Sequence, residues 1–192
     1  LDGLKYVDTT QCGAGGPILG YADSEVDDAV INAIRSGMQA TLNCPEEVEL
    51  AELLLELHPW ADMVRYARTG GEIMAVAVRI ARASTGRDKI AFCGYHGWHD
   101  WYLAANIETT GNLAEHLLPG LDPNGVPKAL RGTVLPFRYN QFKELELLVN
   151  RHPDIGVIQM EVRRSEEPQS GFLEKIRRLT TDNGIVLIFD EC

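Results

Sequence analysis

Apolar residues recur at helical spacing through Val26, Ala29, Val30, Ala33 and Ile34, which predicts a helix of about three turns ending at Gly37. Ser24 followed by Asp27 resembles a capping box with Asp in place of Glu. A second helix opens at Pro45 with Glu46 and Glu47 in its first turn, carries Val48, Ala51, Leu54 and Leu55 on one face, and stops at His58-Pro59. The pattern then changes. "DMVRYAR" predicts a short strand, "TGG" a glycine turn, "EIMAVAVRIARAST" a helix ended by Gly86, and "KIAFC" a further strand. "GYHGWHDWY" reads as a turn, and the Gly/Pro-rich stretch from Asn106 to Gly132 as a long loop. Beyond it come a strand in "TVLPF", a helix capped by Asn140 and carrying Phe142, Leu145, Leu148 and Val149, a buried strand in "IGVIQME", a helix from Phe172 to about Asn183, and a last strand in "IVLIFD". Strands and helices alternate, so the expected fold class is α/β, a mostly parallel sheet with helices on both faces.

Composition narrows the function. With 192 residues and 45% hydrophobic content, the chain can bury a sizeable core. Eighteen basic against 28 acidic residues give a net charge of −10, which repels a phosphate backbone, and no basic cluster offsets it locally. Nucleic acid is not an expected partner. Cys12, Cys44, Cys93 and Cys192 are scattered with no C-x-x-C pair, which suggests neither a zinc knuckle nor a disulfide framework and suits a reducing cytoplasm. No apolar stretch approaches the roughly 20 residues needed to cross a bilayer, so a membrane is not expected either.

Three short stretches carry candidate chemistry. In "RTGGE", Gly70 and Gly71 let backbone approach a ligand, and the helix behind them offers free N–H groups and a positive dipole end to an anion. The same pair also makes an ordinary tight turn. In "GYHGWHD", the residues His96, His99 and Asp100 form a possible metal set, Tyr95 or Trp98 with a neighbouring His suits a flat ring, and the same rings equally fill a groove between helices. Asp190, closing an apolar strand, either meets a buried cation or donor, such as a protonated pyridine nitrogen, or caps a helix at the surface.

Taken in order, the strand-glycine-helix unit, "GYHG" and "LIFDE", spaced by about 25 and about 95 residues, resemble the large domain of class III aminotransferases, pyridoxal-phosphate enzymes of fold type I. The likeness is greatest to the branch containing glutamate-1-semialdehyde aminomutase. "ILGYADSEVDDAVINAI", "PEEVELAELL", "GGEIMAVAVRIARASTGRDKI" and "GFLEKIRRLTTDNGIVLIFDE" extend it over nearly the whole chain. The resemblance implies pyridoxal 5'-phosphate as cofactor, amino-group transfer through a Schiff base between a small-molecule amino donor and a carbonyl acceptor, and a homodimer. It implies that Gly70 and Gly71 bind the phosphate, that Tyr95 stacks on the pyridine ring with His96 beside it, and that Asp190 pairs with the ring nitrogen. Glu161 takes the place of the family's Glu in its "EP" motif. It further implies a division into an N-terminal segment with the first helix, residues 1–40, and an incomplete cofactor-binding domain, residues 41–192.

The chain departs from the family's pattern at Gly71, where a Ser or Thr is usual, at Val162, where Pro is common, and at Cys192, where Val or Ile is usual. The family's Schiff-base lysine follows the "DE" strand, and none of Lys5, Lys89, Lys128, Lys143 and Lys175 matches it. The chain therefore reads as the N-terminal part of a longer protein. Purified alone and mixed with pyridoxal phosphate and an amino donor, it is expected to show no sustained transamination. Borohydride treatment followed by peptide mapping checks this, and a stable lysine adduct accompanied by repeated turnover would contradict it.

Overall fold

Four parallel strands carry the larger part of the chain. In the computed structural model, residues 2–9, 16–38, 41–109, 111–114, 116, 120–163 and 165–192 are described; Cys12 lies outside them. The chain divides into two compact units, Leu1–Val64 and Arg65–Cys192.

The first unit holds helices α1 (Ser24–Ser36) and α2 (Pro45–Leu57). Asp23, not Ser24, caps α1, because its carboxylate accepts from the N–H groups of Glu25 and Val26 at 3.1 Å each. Asp23 sits one position outside the first turn, where an acceptor reaches the free N–H groups, whereas Ser24 is already within it. Pro45 opens α2 as expected, and the Glu47 carboxylate reaches back to the Cys44 N–H at 3.3 Å. No residue of either helix is buried, and the stripe of Val26, Val30 and Ile34 is exposed. "DMVRYAR" is irregular rather than a strand. A strand exists only as one side of a ladder, and no described strand pairs with this segment.

The second unit begins with α3 (Gly70–Thr85), capped by the Thr69 hydroxyl accepting from Glu72 N–H at 3.2 Å and ended by Gly86 in the left-handed conformation. Gly70 and Gly71 form the first helical turn instead of a separate glycine turn. Then follow β1 (Lys89–Cys93), a short α4 (Asp100–Leu103) inside the stretch expected to be turn, β2 (Val134–Pro136), α5 (Phe142–Arg151), β3 (Ile155–Glu161), α6 (Phe172–Asp182) and β4 (Val186–Asp190). The sheet order is β2-β1-β3-β4, with every pairing parallel. The central strands read as continuous apolar runs because both of their faces are covered. On one face Val78 and Ala81 of α3 pack with Ile90, Phe92, Val157, Trp101 and Tyr102. On the other, Leu145 and Val149 of α5 and Phe172 and Ile176 of α6 pack with Ala91, Ile158 and Met160. The α/β class and its two-faced layering are as the sequence predicts.

Asn140 does not cap α5. Its backbone is left-handed, at φ 59°, and its side chain accepts from Gln169 N–H at 2.9 Å and donates to the Glu167 carbonyl at 3.0 Å. Asn tolerates this conformation, and here it ties two loops together at the carboxyl side of the sheet. The loop after α4 is also held: Asn106 donates to the Leu121 carbonyl at 2.6 Å and accepts from Leu113 N–H at 3.0 Å, and Leu113 is fully buried.

At the amino ends of the strands, one side chain joins three segments. The Arg87 guanidinium donates to the carbonyls of Ile155 at 2.9 Å, Asn183 at 3.1 Å and Gly184. Gly156 lies directly beneath, since a Cβ there would come within 2.4 Å of the Thr85 hydroxyl and 2.7 Å of Arg87 Cβ. Replacing Arg87 by Met keeps most of the apolar stem and strands these carbonyls without the charged donor, so a loss of about 2 kcal/mol is expected. A lowered urea midpoint with an unchanged slope checks it.

Candidate active site

Parallel strands bring their carboxyl ends to one edge, and β3 sets β1 and β4 on either side of itself. After β1 the chain turns at Gly94, whose φ of 111° and lack of a Cβ are both required: an added Cβ would lie 2.8 Å from the Glu161 side chain. Tyr95 and His96 follow. The Tyr95 N–H donates to Glu161 Oε1 at 3.3 Å, and its ring meets Tyr102 edge-on, with the Tyr102 hydroxyl donating to the Gly94 carbonyl at 2.9 Å.

His96 crosses to β4. Its Nδ1 is 2.9 Å from Asp190 Oδ2, and its Nε2 is 3.1 Å from the Cys93 carbonyl oxygen. Both nitrogens face acceptors, so the two hydrogen bonds are made together only when each nitrogen carries a proton. The ring is 2% exposed and Asp190 8%. Trp101 stacks parallel to the imidazole, and Tyr102 stands edge-on to it. Burial acts most strongly on the Asp190 carboxyl and pushes it up. The hydrogen bond from His96, that from the Cys192 N–H at 3.1 Å and the charge of His96 outweigh it together, so the carboxyl titrates below its ordinary range.

An open cleft of about 710 Å³ lies beside this pair, lined by residues including Thr69, Gly71, Tyr95, Gly97, Trp98 and His99. Two glycines in its wall touch. A Cβ on Gly97 would sit 2.6 Å from Gly71 Cα, and Gly97 also needs its φ of 90°. The first turn of α3 thus packs directly on the loop after β1. Gly71 and Tyr95 both face the cleft; Gly70 is exposed and is not among the lining residues. His96 and Asp190 are buried and do not line it; they adjoin it through the chain at Tyr95. Lys89 stands at the other end of β1, paired with Asp154 at 3.0 Å, and no lysine lines the cleft.

His96, His99 and Asp100 do not form a metal set. Both ring nitrogens of His96 are committed to protein acceptors, and among the described residues no group of three or more His, Cys, Asp or Glu is placed to hold a metal ion. Sequence reasoning passed over His116, which is buried, accepts from Gly94 N–H at 3.1 Å and packs against Phe92. It lies in a loop without periodic pattern, and only its residue type marked it.

Residues 1–192 match the family model described as "Aminotransferase class-III". The chain belongs to this family. It is 34% identical to the 3-aminobutyryl-CoA aminotransferase of Cloacimonas acidaminovorans and 37% identical to the glutamate-1-semialdehyde 2,1-aminomutase of Methanobrevibacter smithii, in each case over 100% of its own length and over 44% and 45% of theirs. This class-III chain therefore spans under half the length of these curated relatives. Among solved structures, an omega-transaminase from Sphaerobacter thermophilus superposes with a TM-score of 0.76 at 30% identity, covering 91% of this chain and 42% of that one.

Because the folded state holds the Asp190 carboxyl below its ordinary value, the ionised group contributes stability that is fully present above its unfolded pKa of about 3.9 and is lost as pH falls through the lower folded value. The stability difference between wild type and Asp190→Asn is expected to shrink as pH falls below about pH 4. Urea unfolding at pH 3 to 7 measures it, and a difference independent of pH would contradict the assignment.

Proposed function

We propose that the protein containing this chain is a pyridoxal-phosphate-dependent aminotransferase or aminomutase. It moves an amino group between a small-molecule donor and a carbonyl acceptor, and this chain supplies part of the cofactor-binding domain. The observation that carries the reading is the buried His96–Asp190 pair at the carboxyl ends of β1 and β4, next to a cleft floored by two bare glycines. Relatives of both activities, an aminotransferase and an aminomutase, support it.

The residues present fit the cofactor. Gly71 lies in the cleft wall within the first turn of the 16-residue helix α3, whose N–H groups and dipole suit a phosphate. Tyr95 offers a ring in the wall for stacking on the pyridine, and His96 lies next to it. When bound, the cofactor supplies a cationic ring that draws electrons away from the carbon carrying the amino nitrogen. Asp190 serves that ring by keeping a proton on its nitrogen. His96 serves Asp190: its N–H fixes one carboxylate oxygen, and that hydrogen bond, with the one from the Cys192 N–H, favours the ionised group against its burial. Glu161 holds the Tyr95 backbone and so sets the ring's position.

The lysine of this family lies, on this reading, in a part of the protein outside this chain, as does its second domain, with residues 1–40 as an N-terminal segment and 41–192 within the cofactor-binding domain. The exposed apolar stripes of α1 and α2 suit a homodimer contact. Scattered cysteines suit the cytoplasm, and among the described residues no helix is long and apolar enough to cross a membrane.

If Asp190 raises the ring nitrogen by about two pKa units, removing its charge costs about 2.7 kcal/mol, or roughly a hundredfold in rate. In the full-length protein, Asp190→Asn is expected to lose at least that much turnover while keeping its circular dichroism and its bound cofactor. Near-normal turnover would overturn the role given to Asp190.

A further inference from the structure

The Thr69 hydroxyl accepts from the Glu72 N–H as the cap of α3, and Gly70 and Gly71 bring no side-chain donor. One side chain comes close to the bare position. A Cβ built on Gly71 would lie 3.0 Å from His99 Cδ2 and 3.2 Å from His99 Nε2, so this edge of the imidazole occupies the space that a side chain at Gly71 would enter. His99 lines the same cleft and is exposed there, and its ring nitrogens make no hydrogen bond to any described residue. Its backbone is fixed, since its carbonyl accepts from the N–H groups of Tyr102 at 2.9 Å and Leu103 at 3.1 Å at the start of α4. The contact between Gly97 and Gly71 pins the same loop to α3.

We infer that His99 is a phosphate-binding residue of the cofactor site, its Nε2–H donating to the phosphate that the first turn of α3 holds, in the place left by the side chain Gly71 lacks. The inference rests on the pyridoxal-phosphate reading above and adds to it a residue of the chain's own. A ring nitrogen donor is well suited to the task, because a hydrogen bond to a charged oxygen is stronger than one between neutral groups. Asp100, also in the wall, is an acceptor and takes no part in holding an anion. A side chain at position 71 would press on the His99 ring, which would have to shift to admit it.

The test uses the full-length protein and four forms: wild type, His99→Ala, Gly71→Ser, and the double variant. Equilibrium binding of pyridoxal 5'-phosphate is compared with that of pyridoxal, which has the same ring and no phosphate, and the ³¹P resonance of bound cofactor is recorded. His99→Ala is expected to weaken pyridoxal phosphate by about ten- to a hundredfold, to leave pyridoxal binding unchanged and to shift the ³¹P resonance. Gly71→Ser alone is expected to weaken the phosphate form, because its side chain meets the ring, and in the His99→Ala background to recover most of the lost affinity. Unchanged pyridoxal phosphate binding by His99→Ala, or an equal loss for pyridoxal, overturns the inference. A double variant no tighter than His99→Ala overturns the placement of that donor beside position 71. Wild type that binds no pyridoxal phosphate instead overturns the proposed function itself, a result distinct from the others.

Discussion

The hydrogen bond between His96 and Asp190 sets the constraint on which the rest of the carboxyl edge depends. It joins the loop after β1 to the end of β4 across the full width of β3. A buried carboxylate without a donor would be costly, and a buried imidazole with two acceptors and one proton would leave one of them unpaired. Each group solves the other's problem. Trp101 and Tyr102 then enclose the imidazole, and α4, which carries both, is drawn onto the same edge.

The two ends of the sheet are held by different means. Arg87 binds backbone carbonyls at the amino ends of β3 and ahead of β4, where a fixed guanidinium fork serves several acceptors at once. That end is closed by its own strand-to-strand donor. The carboxyl end is closed by the His96–Asp190 hydrogen bond and by two glycines in contact, Gly71 and Gly97, beside an open cleft.

The first unit differs in kind. Its two helices bury none of their residues, though both carry apolar stripes. This chain spans under half the length of its curated relatives, and helices whose apolar faces stay exposed are poor folding units by themselves, because helical stability in proteins comes mostly from packing such a face.

Local chemistry wrote much of this protein legibly. The period-3.6 stripe of α3 and its glycine stop, the unbroken apolar runs of β1 and β3, and the α/β alternation follow from residue order alone, because each depends on neighbours a few positions apart. The order of the motifs also pointed to the class-III family and to Gly70, Gly71, Tyr95, His96 and Asp190, of which Gly71 and Tyr95 line the cleft. Choices between distant partners were another matter. "DMVRYAR" has a strand's composition but no ladder to join; Asn140 has a cap's chemistry but bonds to Gln169 and Glu167 instead; and Asp23 rather than Ser24 reaches the free N–H groups of α1. Nor did the sequence say that both nitrogens of His96 were spoken for, that His116 was buried under Gly94, or that His99 lay over Gly71. Hydrogen bonds and steric exclusion act over a few ångströms in space, and these partners are brought to that distance only when the parallel sheet sets residues far apart in the chain side by side.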